Sequence, residues 1–128
     1  MLSEHEFELR VRYQETDAQG RVHHANYLTW FELGRVELLR AAGHSYKSLE
    51  ASGIHLVVAE VSCRYFHGAE FDDLLRIRAT TISAKGARIQ HAYKILRGDT
   101  LIAEGNTTVA CIDSSGRVAR LPDWMRIT

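Results

Sequence analysis

An α+β domain, in which a curved antiparallel sheet holds one long helix on its concave side, is the fold class this 128-residue sequence predicts. Three observations predict it. The one long helical period runs from about Asn26 to Ala42 and is apolar around most of its circumference. Everything after Gly53 reads as strands of alternating polarity joined by short turns. A helix so apolar needs a large surface to wrap it, and a curved sheet of about five strands supplies one.

The chain opens on a strand. Phe7, Leu9, Val11 and Tyr13 take one face, and Glu8, Arg10, Arg12 and Gln14 take the other. The pattern stops at Glu15, and residues 16–20, Thr-Asp-Ala-Gln-Gly, read as a turn. In the long helix Tyr27, Trp30, Phe31, Gly34, Leu38 and Ala41 form one stripe. Leu28, Leu33, Val36 and Leu39 lie off that stripe, which predicts burial on several sides. Gly43 closes the helix. Residues 45–52 predict a short second helix, capped by Ser45 and ended by Gly53.

Strands follow at about 55–67, 74–83, 86–97 and 100–112, with a fifth at 117–120. Gly98-Asp99 predicts a type II′ hairpin, because that turn wants glycine first. Asp72-Asp73, Ala84-Lys85-Gly86 and Ser114-Ser115-Gly116 mark the other turns, and Pro122 lies beyond the last strand. The sequence shows no internal repeat or linker, so one domain is expected over 1–128.

Sixteen basic and sixteen acidic residues leave no net charge, so neither nucleic acid nor a membrane surface is advertised as a partner. The stretch from Met1 to Arg10 carries Glu4, Glu6 and Glu8, the opposite of a signal peptide's start. No apolar run approaches the ~20 residues of a membrane span. Cys63 and Cys111 form no C-x-x-C pair and read as reduced, buried thiols of a cytoplasmic protein. Seven histidines invite a metal, but H-x-x-x-H spacing is missing and the adjacent His23 and His24 should point apart. No metal site is expected, and His5, His44, His55, His67 and His91 read as surface or pocket-edge residues.

The informative stretch is 13–35, YQETDAQGRVHHANYLTWFELGR. It puts the carboxylate of Asp17 in a loop that ends at a helix N-terminus near His24 to Asn26. Unpaired N–H groups and partial positive charge at that terminus would stabilise a polarised carbonyl or its oxyanion. Asp17 could activate water or attack directly, and Gly20 lets the backbone turn tightly. The same residues also suit a plain turn, with Asn26 as a simple N-cap, and spacing alone favours that reading.

The block resembles the signature of hotdog-fold acyl-CoA thioesterases of the 4-hydroxybenzoyl-CoA thioesterase group, YbgC type. Tyr13, Thr16-Asp17, Gly20, Val22, His24, Asn26-Tyr27, Trp30-Phe31 and Arg35 carry the resemblance. Arg64-Tyr65, the run from Asp72 to Leu75, Gly86-Ala87-Arg88, the run from Val109 to Asp113 and Leu121-Pro122 extend it over nearly the whole chain. The resemblance implies hydrolysis of acyl-CoA to free acid and CoA, without metal or redox cofactor. It makes Asp17 the catalytic base or nucleophile, with Tyr13 and His24 assisting. The backbone near His24 would polarise the carbonyl, with Gly20, Asn26 and Tyr27 positioning the substrate. It also implies a homodimer or homotetramer, with an acyl carrier protein as the alternative carrier. One departure stands out: the family's proline after the aromatic pair is replaced here by Tyr65-Phe66-His67-Gly68-Ala69.

CoA carries phosphates, so cations are expected near the pocket mouth, and Arg64, Lys85, Arg88 and Arg97 are the candidates. Glu32 is expected to pair with Arg35 along the helix or to lie near Asp17. Two rival readings remain on the same fold. A hydratase or dehydratase would pair His24 with Glu37, and a non-catalytic binder would hold acyl-CoA without releasing thiol.

Overall fold

The structure, a computed structural model, describes residues 3–127. Five strands are present: β1 (Glu4–Arg10), β2 (Ile54–Tyr65), β3 (Leu74–Lys85), β4 (Arg88–Arg97) and β5 (Thr100–Asp113). They form one antiparallel sheet in the order β1-β3-β4-β5-β2. Helix α1 (Ala25–Ala41) packs on its inner face, and the short α2 (Tyr46–Ala51) follows. Inward and outward residues alternate along β4, where Ile89, His91, Tyr93 and Ile95 turn toward the helix. Bulges between Val58 and Glu60 and between Thr81 and Ser83 bend the sheet around α1.

Two hairpins turn on glycine. In Gly86-Ala87 and Gly98-Asp99 only the glycine takes positive φ, 62° and 60°, as a type II′ turn requires. Ser45 caps α2 through its Oγ, which accepts the Ser48 N–H at 3.1 Å.

Helix α1 buries Tyr27, Trp30, Phe31, Gly34, Leu38 and Leu39. Trp30 and Phe31 are fully enclosed, and burying each such side chain contributes about 1.5–3 kcal/mol or more. Within one chain the helix is covered on one side only, since Leu28 and Leu33 remain 37% exposed. No helix among the described residues is long and apolar enough to cross a membrane.

Four sequence expectations need correction. The first strand ends at Arg10; residues Tyr13–Glu15 form a 3-10 turn that throws Tyr13 outward and Glu15 inward. Segment 117–120 is no strand, and only an isolated Ile112–Val118 bridge forms there. Cys63 is half-buried rather than buried; both cysteines are free. Of the two settings expected for His91, the surface does not hold, since it is 6% exposed beneath α1, where it lines a pocket.

Burial, and then the nearby Arg35 guanidinium, lowers the His91 pKa from 6.5 to about 3. The folded imidazole therefore stays neutral where the unfolded one takes up a proton. Its contribution to stability is complete above pH 6.5 and is lost as pH falls toward 3, by about 1.4 kcal/mol per unit inside that window. Urea midpoints measured from pH 7 to pH 4 should fall, and His91→Phe should flatten that fall. An unchanged slope in the variant would assign the acid lability elsewhere.

Candidate active site

The loop between β1 and α1 is organised by Glu15. Its carboxylate accepts the Arg12 N–H at 2.7 Å and the indole N–H of Trp30 at 3.0 Å. Its carbonyl accepts the His23 N–H and the Asn26 side-chain amide, both at 2.9 Å. One residue, 5% exposed, thus ties the start of the loop, its end and the buried face of α1 together. Glu15→Ala would leave two inward donors unpaired, so about 2–4 kcal/mol of stability should be lost in urea titration. A loss below 0.5 kcal/mol would mean that the loop holds without this anchor.

Between the anchor points the chain folds back on itself, with Thr16 bridged to Val22. Asp17 opens the turn. Its carbonyl accepts the Gly20 N–H at 3.0 Å, and its Oδ1 accepts the Gln19 N–H at 2.8 Å. Gly20 sits at φ +80°, where a side chain would be strained. Asp17 Oδ2 accepts no hydrogen bond among the described residues and is free for chemistry.

At the start of α1 the N–H groups of Ala25, Asn26 and Tyr27 go to His23 Nδ1, His23 O and His24 O. The His24 N–H has no acceptor among the described residues, which is the orphan donor a helix N-terminus offers. Contrary to the sequence expectation, the His23 and His24 rings stack at 4.4 Å instead of pointing apart. The Tyr65 hydroxyl donates to His24 O at 3.1 Å, and its ring meets Tyr27 edge-on at 5.2 Å. Burial of that hydroxyl, with Cys63 beside it, pushes the Tyr65 phenol up to about 12 although the ring is 47% exposed. Tyr65 is therefore a neutral donor, not a base.

These pieces surround an open groove of about 500 Å³, lined by Asp17, Arg21, His24, Tyr27, Tyr65 and His67 among others. The structure thus brings together Asp17, His24 and Tyr27 of the expected set, with Gly20 shaping the turn. It does not bring Tyr13 in. That ring is 77% exposed and packs on Phe71 at 5.5 Å. Asn26 neither caps the helix nor faces the groove with a free amide, because Glu15 O holds its side chain.

The four expected cations scatter. Arg97 is committed to Asp73 at 2.8 Å and to Gly68 O at 3.0 Å, where it pins the loop between β2 and β3. Arg64 is exposed on edge strand β2. Lys85 and Arg88 face each other at the far end of the β3–β4 ladder, about 30 Å of strand away from the Asp17 end. Glu32 makes no ion pair with Arg35, which turns inward to donate to the Tyr93 hydroxyl at 3.1 Å. Glu37 lies about 20 Å along the helix axis from His24 and pairs with Arg40, so the dehydratase arrangement does not form.

Sequence reasoning missed Glu15, Arg21, Tyr65 and Phe66 as parts of the site, whereas His67, read as a surface or pocket-edge residue, does line the groove. Glu15 carries no local signal, since Trp30 lies fifteen residues downstream. Tyr65 was legible in part, because alternation along β2 turns it to the helix side with Cys63.

The thioesterase-like superfamily matches residues 11–127. The chain is 35% identical over 108 residues to an acyl-CoA thioesterase YbgC from Haemophilus influenzae, covering 84% of this chain and 79% of that protein. It is 34% identical over 106 residues to the acyl-CoA thioester hydrolase YbgC of Escherichia coli O6:H1, covering 82% and 79%. The crystal structure of a probable thioesterase from Bartonella henselae superposes with a TM-score of 0.88 at 34% identity, covering 94% of this chain and all of that one.

Proposed function

Because the chain belongs to the thioesterase-like superfamily and is a hotdog-fold acyl-CoA thioester hydrolase, we propose that Asp17 drives the attack on the thioester and that the N-terminus of α1 receives the oxyanion. One observation carries this reading: the free Oδ2 of Asp17 and the unclaimed N–H of His24 belong to residues lining the same groove. The substrate carbonyl oxygen accepts the His24 N–H, where the helix dipole stabilises the charge that develops.

Two routes fit this geometry. As a base, Asp17 takes a proton from water, the hydroxide adds to the carbonyl carbon, and the C–S bond breaks. The CoA thiolate then takes up the proton. As a nucleophile, Asp17 adds to the carbonyl carbon and expels the thiolate, and water cleaves the resulting anhydride. The His24 imidazole and the neutral Tyr65 hydroxyl order the water in either route. Thiol release from a panel of short, long and aromatic acyl-CoAs tests the reading, with Asp17→Ala as the variant that must lose activity. Single turnover in labelled water tests for the nucleophilic route, since only there, by water attack at the Asp17 carbonyl of the anhydride, does protein oxygen enter the product.

The assembly we propose is a homodimer, or a homotetramer made of two such pairs. Edge strand β2 leaves its outer backbone groups unpaired and exposes Val57, Val58 and Val61, and Val58 and Val61 share a groove with Leu28 of α1. Two β2 edges pairing antiparallel about a two-fold would set the Lys85 and Arg88 end of one copy beside the Asp17 groove of the other. That supports their role toward CoA phosphates, with Arg64 on the edge itself. Light scattering should give a dimer or tetramer mass, and Val58→Lys should shift it to the monomer. A monomeric wild type would exclude the arrangement. Two free cysteines support the cytoplasm, a reducing compartment, as its location.

A further inference from the structure

The groove holds a cation that the hydrolytic chemistry does not use. Arg21 follows the Asp17 turn, and its backbone bridges Glu70. Its side chain lies across Gly68, where an added Cβ would come within 2.9 Å of the Arg21 Cδ and 3.3 Å of its Nε. Gly68 has no positive φ, so the missing side chain makes room for Arg21 and relieves no backbone strain.

Among the described residues Arg21 makes no ion pair, as is true of Arg35, Arg64, Arg88, Arg117 and Arg120, but of these Arg21 alone lines the groove, whereas Arg10, Arg12, Arg40, Arg76, Arg78, Arg97 and Arg126 each have a carboxylate. Asp17, four residues away, is no exception: the Arg21 backbone N–H points to Asp17 Oδ1 at 3.4 Å, but the guanidinium is directed to the opposite wall. The base is thus left unquenched and the cation left unneutralised, on one substrate-sized groove.

We propose that Arg21, seated on Gly68, binds an anionic group of the acyl-CoA substrate, either a CoA phosphate or a carboxylate carried by the acyl group. The assignment rests on acyl-CoA as the substrate and adds the residue that selects for charge. A guanidinium can grip phosphate or carboxylate with two parallel N–H donors, which a lysine in the same place cannot match.

The test compares wild type, Arg21→Gln, Arg21→Lys and Gly68→Ala on butyryl-CoA, succinyl-CoA and S-butyryl-pantetheine. If a phosphate is the ligand, Arg21→Gln lowers the ratio of kcat/KM for butyryl-CoA over butyryl-pantetheine about tenfold. If an acyl carboxylate is the ligand, the ratio for succinyl-CoA over butyryl-CoA falls by that amount instead. In either case the change lies in KM, Arg21→Lys restores part of it, and Gly68→Ala reproduces it by displacing Arg21. If neither ratio moves by more than twofold, the proposal is overturned. Calorimetric titration of CoA and succinyl-CoA into Asp17→Ala, with and without Arg21→Gln, reads the same contact without turnover. A failure of the hydrolytic reading is thereby kept apart from a failure of this one.

Discussion

Asp17→Ala is expected to lower kcat/KM for thiol release by about 10²–10⁴-fold, the range that a positioned acid–base group contributes. Loss of folding is not expected to explain it. The substitution removes two exposed contacts to Oδ1, the Gln19 N–H bond and the longer Arg21 N–H contact, each contributing at most about 0.5–1.5 kcal/mol. The loop is held from Glu15, and that anchor stays intact. Asp17→Asn sharpens the experiment, because an amide oxygen can still accept the Gln19 N–H while losing basicity and nucleophilicity. Asp17→Asn should melt like wild type in circular dichroism, Asp17→Ala only a few degrees lower, and both should be inactive. If Asp17→Asn retained full rates, Asp17 would be a turn residue and nothing more.

The second large effect lies in the core. Gly105→Ala should lower stability by about 3 kcal/mol or more, at the upper end of what overpacking costs. Gly105 pairs with Cys63 in the β2–β5 ladder and faces the helix. A Cβ there would overlap the Ser62 carbonyl oxygen and the Phe31 ring, whose Cζ would be 2.7 Å away. Neither neighbour can yield cheaply. Ser62 is backbone of an adjacent strand, and Phe31 is fully enclosed and stacked on Tyr93 at 4.4 Å. Gly34→Ala is the control, since its nearest contact is the Ala79 Cβ at 3.2 Å and alanine gains about 1 kcal/mol in a helix interior. Its net change should stay within about 1 kcal/mol. Urea midpoints for the two variants should differ widely; equal values would mean that α1 can move off the sheet at little cost.

Gly105 illustrates a limit of reading patterns. In sequence it is a glycine inside an alternating strand, and nothing local says that an aromatic ring from α1 lies against it. Glu15 is the same kind of case. Alternation from Phe7 onward would carry Tyr13 to the inner face, yet the chain breaks into a 3-10 turn because Glu15 finds Trp30 and Arg12 as partners. The His91 position followed the inward register of β4, but the residue type argued for a surface, and register won.

Strands β3, β4 and β5, the glycine-first turn at Gly98-Asp99, α1 and the Ser45 cap were legible because each depends on neighbours within a few residues. Helical and strand periods, positive φ at glycine and a serine cap are local properties of the chain. The family, the fold and acyl-CoA hydrolysis were legible too, through the family resemblance carried by the block from Tyr13 to Arg35, since spacing alone favoured a plain turn. Which cations share the groove was not. Arg97 and Arg21 look alike as symbols, yet one is neutralised by Asp73 and the other extends over Gly68 without an acid. Charge compensation depends on distances between segments far apart in the chain, 24 residues for Arg97 and Asp73, and those distances exist only once the sheet has curled around α1.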